Sequence, residues 1–337
     1  MTNQLVLLYL LIVIPFTCSA QEPAVQSALE NALQHTEQNS LYRNQVDWNE
    51  MKTRMRQMST EADSIPDLKP AFDFMLESLN DTHGRVFYKG GFLSFYSGEL
   101  LEHLDGIDWD IYNEIQSGQV YDFKTELIEK EIGYVRIVGL PMGDNQKMSD
   151  EIQHAVCQLI ANGAQKWIID LRYNGGGNMY PMVEGLTTII GNGVVGGTHG
   201  LTEEENSVWK IENGDFYYDD FSVQLEEECS LDHQPKIAVL LSNYTASSGE
   251  AVAVIVKNRP HTRFFGEKSN GKVTVTDWHQ INDETFMSIS VSYYKDRTGI
   301  IYDKYVDVDE EVDFNPKADL KEDEGLVRAI EWLNDQD

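Results

Sequence analysis

The chain has 337 residues, 41% hydrophobic and 24% charged, enough to bury a sizeable core and to form two structural units. Its 26 basic and 56 acidic side chains give a formal net charge of −30. A surface of that sign repels nucleic acid and anionic membranes and argues against phosphate tracking, while it favours solubility and draws basic peptides.

The run "LVLLYLLIVIPF", Leu5 to Phe16, is too short to span a bilayer. Followed by "TCSA", it reads as a secretory signal peptide over residues 1–20, cleaved after Ala20. That predicts a secreted or periplasmic protein with no stable membrane insertion after cleavage; a retained anchor or a lipid-modified Cys18 are the alternatives. Cleavage leaves Cys157 and Cys229. An oxidising compartment permits a disulfide between them, and two buried free thiols fit the sequence equally well. Neither belongs to a CxxC or Cys/His cluster, so no structural metal site is expected, and no cofactor.

Residues 21–83 read as an N-terminal helical unit. Val25, Leu29 and Leu33 recur every four residues, and Phe72, Met75, Leu76 and Leu79 share a face behind Pro70. Residues 84–131 form a connector in which "GRVFYKGGFLSFY" suggests a strand and hairpin. From residue 132 strands and helices alternate: "IGYVRIV", then "SDEIQHAVCQLIANG", then "KWIIDLR", a glycine turn, "MYPMVEGLTTII", "KIAVLLS", and a helix after Ser247. That order predicts an α/β fold with a mainly parallel sheet. "FMSISVSYY" reads as a further strand and "GLVRAIEWL" as a closing amphipathic helix.

The stretch "YTASSGEAVAVIVKN" carries the first candidate for chemistry. Ser247 and Glu250 have capping-box spacing, so Ser247 has a plain role as a helix cap. Its place between a parallel strand and the next helix is also where α/β proteins bind ligands, and a helix N-terminus stabilises negative charge developing nearby. "DLRYNGGGNM" ends another strand, and its glycines can turn backbone N–H groups toward an anion. The amides of Gly176 and Ser248 would make a two-donor oxyanion hole, unless the triple glycine is only a turn. Two bases are available. Lys272 needs burial to lose its proton, whereas His83 titrates near neutrality unaided.

Taken in order, "LNDTHG", "DLRYNGGG", "TASSGE" and "GEKSNGK" resemble peptidase family S41, which includes C-terminal processing and tricorn-like proteases. The resemblance runs from about residue 70 to the end, with "YVDVDEEVDF" similar to the family's "GVxPDxxV" tail. It implies a ClpP/crotonase-like core over residues 132–337, with no clear PDZ module between 84 and 131. It further implies Ser247 as nucleophile and the amides of Ser248 and Gly176 as oxyanion donors. The processing branch would use Lys272 as base, and the tricorn-like branch His83, beside Thr82. "LNDTH" and the "DRTG" of residues 296–299 resemble the histidine users. That leaves Lys272 as a second participant or a charge partner for an anionic substrate end, and Asp303 or Asp296 as a carboxylate to orient His83. The implied function is a secreted serine endopeptidase acting on peptides or proteins. The alternative is a non-proteolytic S41-like module that binds small hydrophobic ligands, with Ser247 only a cap. Hydrolysis of a small ester would use the same residues, but the G-x-S-x-G elbow of α/β-hydrolases is absent.

Overall fold

The computed structural model describes residues 23–99, 101–222, 224–225, 229–316 and 322–335; the expected signal peptide over residues 1–20 lies outside them. Helix α1 (Pro23–Asn39) buries Val25, Ala28, Leu29, Ala32 and Leu33, the stripe that its three- and four-residue spacing requires. Helix α2 (Trp48–Met58) starts at Asp47, whose carboxylate accepts from the N–H groups of Asn49 and Glu50. Helix α3 (Lys69–Leu79) carries Pro70 in its first turn and ends at Asn80, which takes the left-handed conformation at φ 53°. That reversal delivers Asp81, Thr82 and His83 directly off the helix end.

The three helices do not form a separate body. Leu29, Leu33, Phe72 and Leu76 share a core with Val86, Ile281, Met287 and Ile289 of the adjoining sheet. Strands β1 (Arg85–Tyr88) and β2 (Gly91–Phe95) form the expected hairpin, turning through Lys89 and Gly90, both at positive φ. Within the connector, α4 (Trp109–Ser117) buries Ile111 and Ile115 against Tyr173 and Tyr244, and β3 (Lys124–Ile128) pairs antiparallel with β4 (Ile132–Arg136).

Helix α5 (Asn145–Ala161), β5 (Lys166–Asp170), α6 (Met179–Glu184) and α7 (Thr187–Ile190) follow. Strands β6 (Gly193–His199), β7 (Val208–Glu212), β8 (Asp215–Tyr218) and β9 (Phe221–Ser222) come next, then β10 (Ile237–Leu241), α8 (Ser248–Val256) and β11 (Thr262–Gly266). The chain closes with β12 (Thr274–Asn282), β13 (Thr285–Asp296), β14 (Ile301–Tyr302), β15 (Glu310–Glu311) and α9 (Glu324–Asn334).

Among the described residues these strands make two sheets. One has six strands in the order β15-β11-β10-β5-β4-β3, and all its pairings are parallel except β3 with β4. Every residue of β10 is buried, as a central strand covered on both faces demands. The other sheet has nine strands built around β13 and is antiparallel in every pairing. The expectation of a mainly parallel sheet therefore holds for the first sheet and is corrected by the second. The physical reason lies in the connections. Helix α5 links β4 to β5 and helix α8 links β10 to β11 in the first sheet, while in the second β7 to β8 turn at Asn213 and Gly214, both at positive φ, and β12 to β13 turn at Asp283 and Glu284; such short links permit only antiparallel pairing.

The main core joins the two sheets through α5, α6 and α8, with Trp167, Ile169, Val252 and Trp209 fully buried. Each large apolar side chain so buried contributes about 1.5–3 kcal/mol. Helix α9 covers the opposite face of the parallel sheet with Leu326, Ala329 and Leu333. A disulfide joins Cys157 in α5 to Cys229 before β10, which resolves the choice between a bridge and free thiols.

Candidate active site

Ser247 sits on the turn from β10 into α8 with φ 54° and ψ −118°. A non-glycine residue holds that backbone only when its surroundings impose it, at a cost of about 1–3 kcal/mol. Two contacts impose it here. The Ser247 N–H donates to Glu250 Oε2 at 2.8 Å, and Glu250 Oε1 is itself fixed by the Gly271 N–H at 2.8 Å and by Ser269 Oγ. On the other side lies Gly176, where a Cβ would come within 2.7 Å of the Ser247 Cβ. Only glycine allows that approach, and its φ of 110° favours glycine as well. Burial raises the Glu250 carboxyl to about 7, against the hydrogen bonds it receives from Ser269 and the backbone amides.

The Ser247 Oγ is 3.0 Å from His83 Nε2. The other ring nitrogen, Nδ1, is 2.8 Å from Thr274 Oγ1 on β12. Burial, then the charges of Lys272 and Arg85, push the His83 imidazolium down to about 3, so the ring is neutral at ordinary pH. Lys272 lies beside this pair but is not bonded to Ser247; its Nζ donates to Thr82 O at 2.8 Å. Burial, then Arg85, lower its ammonium to about 8. Arg85 donates to the carbonyls of Thr82 and Gly84, and neither cation pairs with a carboxylate among the described residues.

Neither carboxylate expected to orient His83 touches it. Asp296 accepts from Thr298, Asn258 and Tyr302 at the far end of β13. Asp303 lines the cleft without bonding the ring. The hydroxyl of Thr274 holds Nδ1 instead, a partner whose separation of 191 residues left no trace in local spacing. For the oxyanion donors, Ser248 opens α8, where an N–H has no partner inside the helix, and its Oγ donates to Gly177 O at 2.6 Å, tying the helix start to the glycine turn. The Gly176 N–H is engaged in the folded chain, donating to Asn174 Oδ1 at 3.0 Å. Sequence reasoning missed Asn174, Thr274, Arg85 and Asp81. Of these Asp81, two residues before His83 in "NDTHG", and Asn174, two residues before Gly176 in "NGGG", carried a local signal, that of an Asx turn.

His83 and Lys272 open onto a cleft of about 920 Å³ lined by Phe92, Phe95, Trp109 and Tyr112. Phe92, Phe95 and Trp109 are at least half exposed. A second cavity of about 720 Å³ lies against the disulfide and Arg259 and contains none of these residues.

The sequence profile of peptidase family S41 matches residues 131–312, more than half of the chain. The protein belongs to peptidase family S41. Ser247, Ser248, Gly176 and Lys272 fall inside the matched stretch, and His83 precedes it. The chain is similar to the nisin-resistance protein of Lactococcus lactis subsp. lactis, 28% identical over 194 residues that cover 58% of this chain and 58% of the relative. The match thus spans little more than half of that relative's length. Its fold is similar to that of a lipoprotein from Streptococcus agalactiae, at 18% identity and a TM-score of 0.69 over 92% of this chain and 96% of the other. It is also similar to the photosystem II D1 C-terminal processing protease, at 16% identity and a TM-score of 0.55 over 91% and 97% of the two chains.

Proposed function

We propose that the protein is an exported serine peptidase in which Ser247 is the nucleophile and His83 the general base. The 3.0 Å contact between Ser247 Oγ and His83 Nε2 carries this reading. Ser247 Oγ would attack the carbonyl carbon of the scissile bond while His83 takes its proton and then returns it to the departing amine. Water, deprotonated by the same imidazole, would release the acyl group. The Ser248 N–H would hold the oxyanion together with the glycine turn, where Gly176 would exchange its Asn174 acceptor for the developing charge. Lys272, with no hydrogen bond to the serine, fits a charge role. With Arg85 it supplies attraction for an anionic chain end, in keeping with relatives whose names denote C-terminal processing. Export agrees with the Cys157–Cys229 disulfide, a bond that persists in oxidising compartments. Among the described residues no helix is long and apolar enough to cross a membrane.

Replacement of Ser247 by Ala tests the reading. Hydrolysis of a peptide substrate should fall by at least about 10⁴-fold with an unchanged circular dichroism spectrum, and full activity in the variant would remove the nucleophile. The aromatic lining of the cleft favours one second reading, a module that takes up small apolar ligands without covalent chemistry. Labelling of Ser247 by a fluorophosphonate distinguishes the two, since a mere cap would stay unlabelled.

A further inference from the structure

The partner of His83, Thr274, is itself the middle of a hydrogen-bonded chain. Thr274 Oγ1 lies 3.0 Å from Ser290 Oγ, and Ser290 Oγ lies 2.8 Å from Asp81 Oδ1. Asp81, Thr274 and Ser290 are buried, so no bulk water competes for these bonds. Asp81 is anchored at both oxygens. Oδ1 also accepts from the N–H groups of His83 at 3.2 Å and Gly84 at 2.8 Å, and Oδ2 from the Ser290 N–H at 2.9 Å.

Each hydroxyl in this chain owns one proton, so the direction of one bond fixes the rest. A carboxylate oxygen can only accept, so Ser290 donates to Asp81. Ser290 Oγ must then accept from Thr274, and Thr274 Oγ1 must accept from His83. That places the imidazole proton on Nδ1 and leaves the lone pair of Nε2 facing Ser247 Oγ, the arrangement that general-base catalysis needs. Were the chain to run the other way, Thr274 would donate to Nδ1, Nε2 would carry the proton, and an N–H would point at the serine.

We propose that Asp81 is a positioning residue that sets the tautomer of His83 through the hydroxyls of Ser290 and Thr274, a carboxylate acting at two hydroxyls' remove from the ring. The proposal rests on the assignment of His83 as base to Ser247. No proton travels along the relay. In the reaction the Ser247 proton moves to Nε2, the Nδ1 proton stays on the ring, and the oriented hydroxyls with the carboxylate behind them stabilise the imidazolium until it protonates the leaving amine.

The test uses the full chain labelled with ¹⁵N in histidine, the His83 signals being assigned by their loss in His83→Gln. The relay predicts a protonated Nδ1 and a lone pair on Nε2 in the wild-type protein, and a loss of that preference in Asp81→Ala, where no acceptor fixes the direction of the Ser290 hydroxyl. In steady-state kinetics Asp81→Ala and Thr274→Val should lower kcat with little change in KM, by up to about 10³–10⁴-fold, the scale of a wrong tautomer. Thr274→Ser, which keeps the hydroxyl, should recover most of the Thr274→Val loss. Should Asp81→Ala fail to fold, Ser290→Ala and the two Thr274 variants decide in its place. A wild-type ring protonated at Nε2, or a Thr274→Val enzyme with wild-type kcat, would overturn the proposal. The tautomer is read without any turnover, so an inactive protein with Nδ1 protonated would sink the peptidase reading alone. Fluorophosphonate labelling at wild-type rate in Thr274→Val would sink the relay alone.

Discussion

His83 and Lys272 set each other's charge. Because the lysine's cation is, after burial, the largest cause holding the imidazolium down to about 3, its removal should raise that value. A protonated His83 cannot accept from Ser247, so kcat/KM should stay high well below the ordinary histidine range and fall only in strong acid. In Lys272→Met the acid limb of the kcat/KM profile should move to higher pH, and a limb unmoved would show that the two groups do not interact. Gly176 makes an equally local case. A methyl group placed 2.7 Å from the Ser247 Cβ, on a backbone at φ 110°, has nowhere to go. Gly176→Ala should cost activity by at least about 10²-fold through misplacement of the serine, measured as kcat on a peptide substrate. At this scale the sequence made Ser247 legible, since a serine after a buried strand with Glu250 three residues on is a short-range pattern. It left the base open between His83 and Lys272, because a contact across 164 residues has no signature in local spacing. The engagement of the Gly176 N–H by Asn174 is an Asx turn spanning two residues, a short-range pattern of the kind that Asn before glycines favours.

Among the elements, the β12–β13 hairpin links the N-terminal helices to the site. Thr274 opens one strand and Ser290 lies on the other, and the Asp81 loop is fastened across both. "FMSISVSYY" was readable as a strand through its alternation, yet its partner β12 was not. The polar, partly exposed run "TVTDWHQIN" buries only Thr274 and Ile281 and offers little hydrophobic contrast. Helix α6 shows a different constraint. Glu184 at its end is buried, with Oε2 accepting from the Phe216 N–H of β8 at 2.8 Å and Oε1 without a partner among the described residues. Burial raises its carboxyl to about 8. The folded chain therefore holds this proton where the unfolded chain has released it, and the contribution to stability declines as pH rises from about 4.5 toward 8. Glu184→Gln should be more stable than wild type at pH 9 and should lack that part of the slope, by denaturant titration at several pH values. Equal stability at pH 9 would show that Glu184 is paired or hydrated there.

For the whole molecule, the disulfide is the cross-link with the longest reach into the unfolded state. Closing a loop across a separation of 72 residues removes chain entropy worth about 4 kcal/mol. Cys157→Ser should lower unfolding free energy by roughly 2–4 kcal/mol with activity retained at low temperature, and unchanged stability would mean that the thiols are free in solution. Against the net charge of −30 stand Arg85 and Lys272, which line the cleft and pair with no carboxylate among the described residues. Composition revealed the first fact and only folding the second. The alternating half of the fold was legible because α5 and α8 join adjacent parallel strands, whereas the antiparallel half needed turns between weakly patterned strands. One proton transfer, from Ser247 to His83, is the step on which the proposed catalysis depends. Single-turnover acylation by an activated substrate measures it most directly. His83→Ala should slow acylation by about 10³–10⁴-fold, while Lys272→Met should slow it far less. Acylation abolished by the lysine change alone, with His83→Ala near wild type, would contradict that transfer.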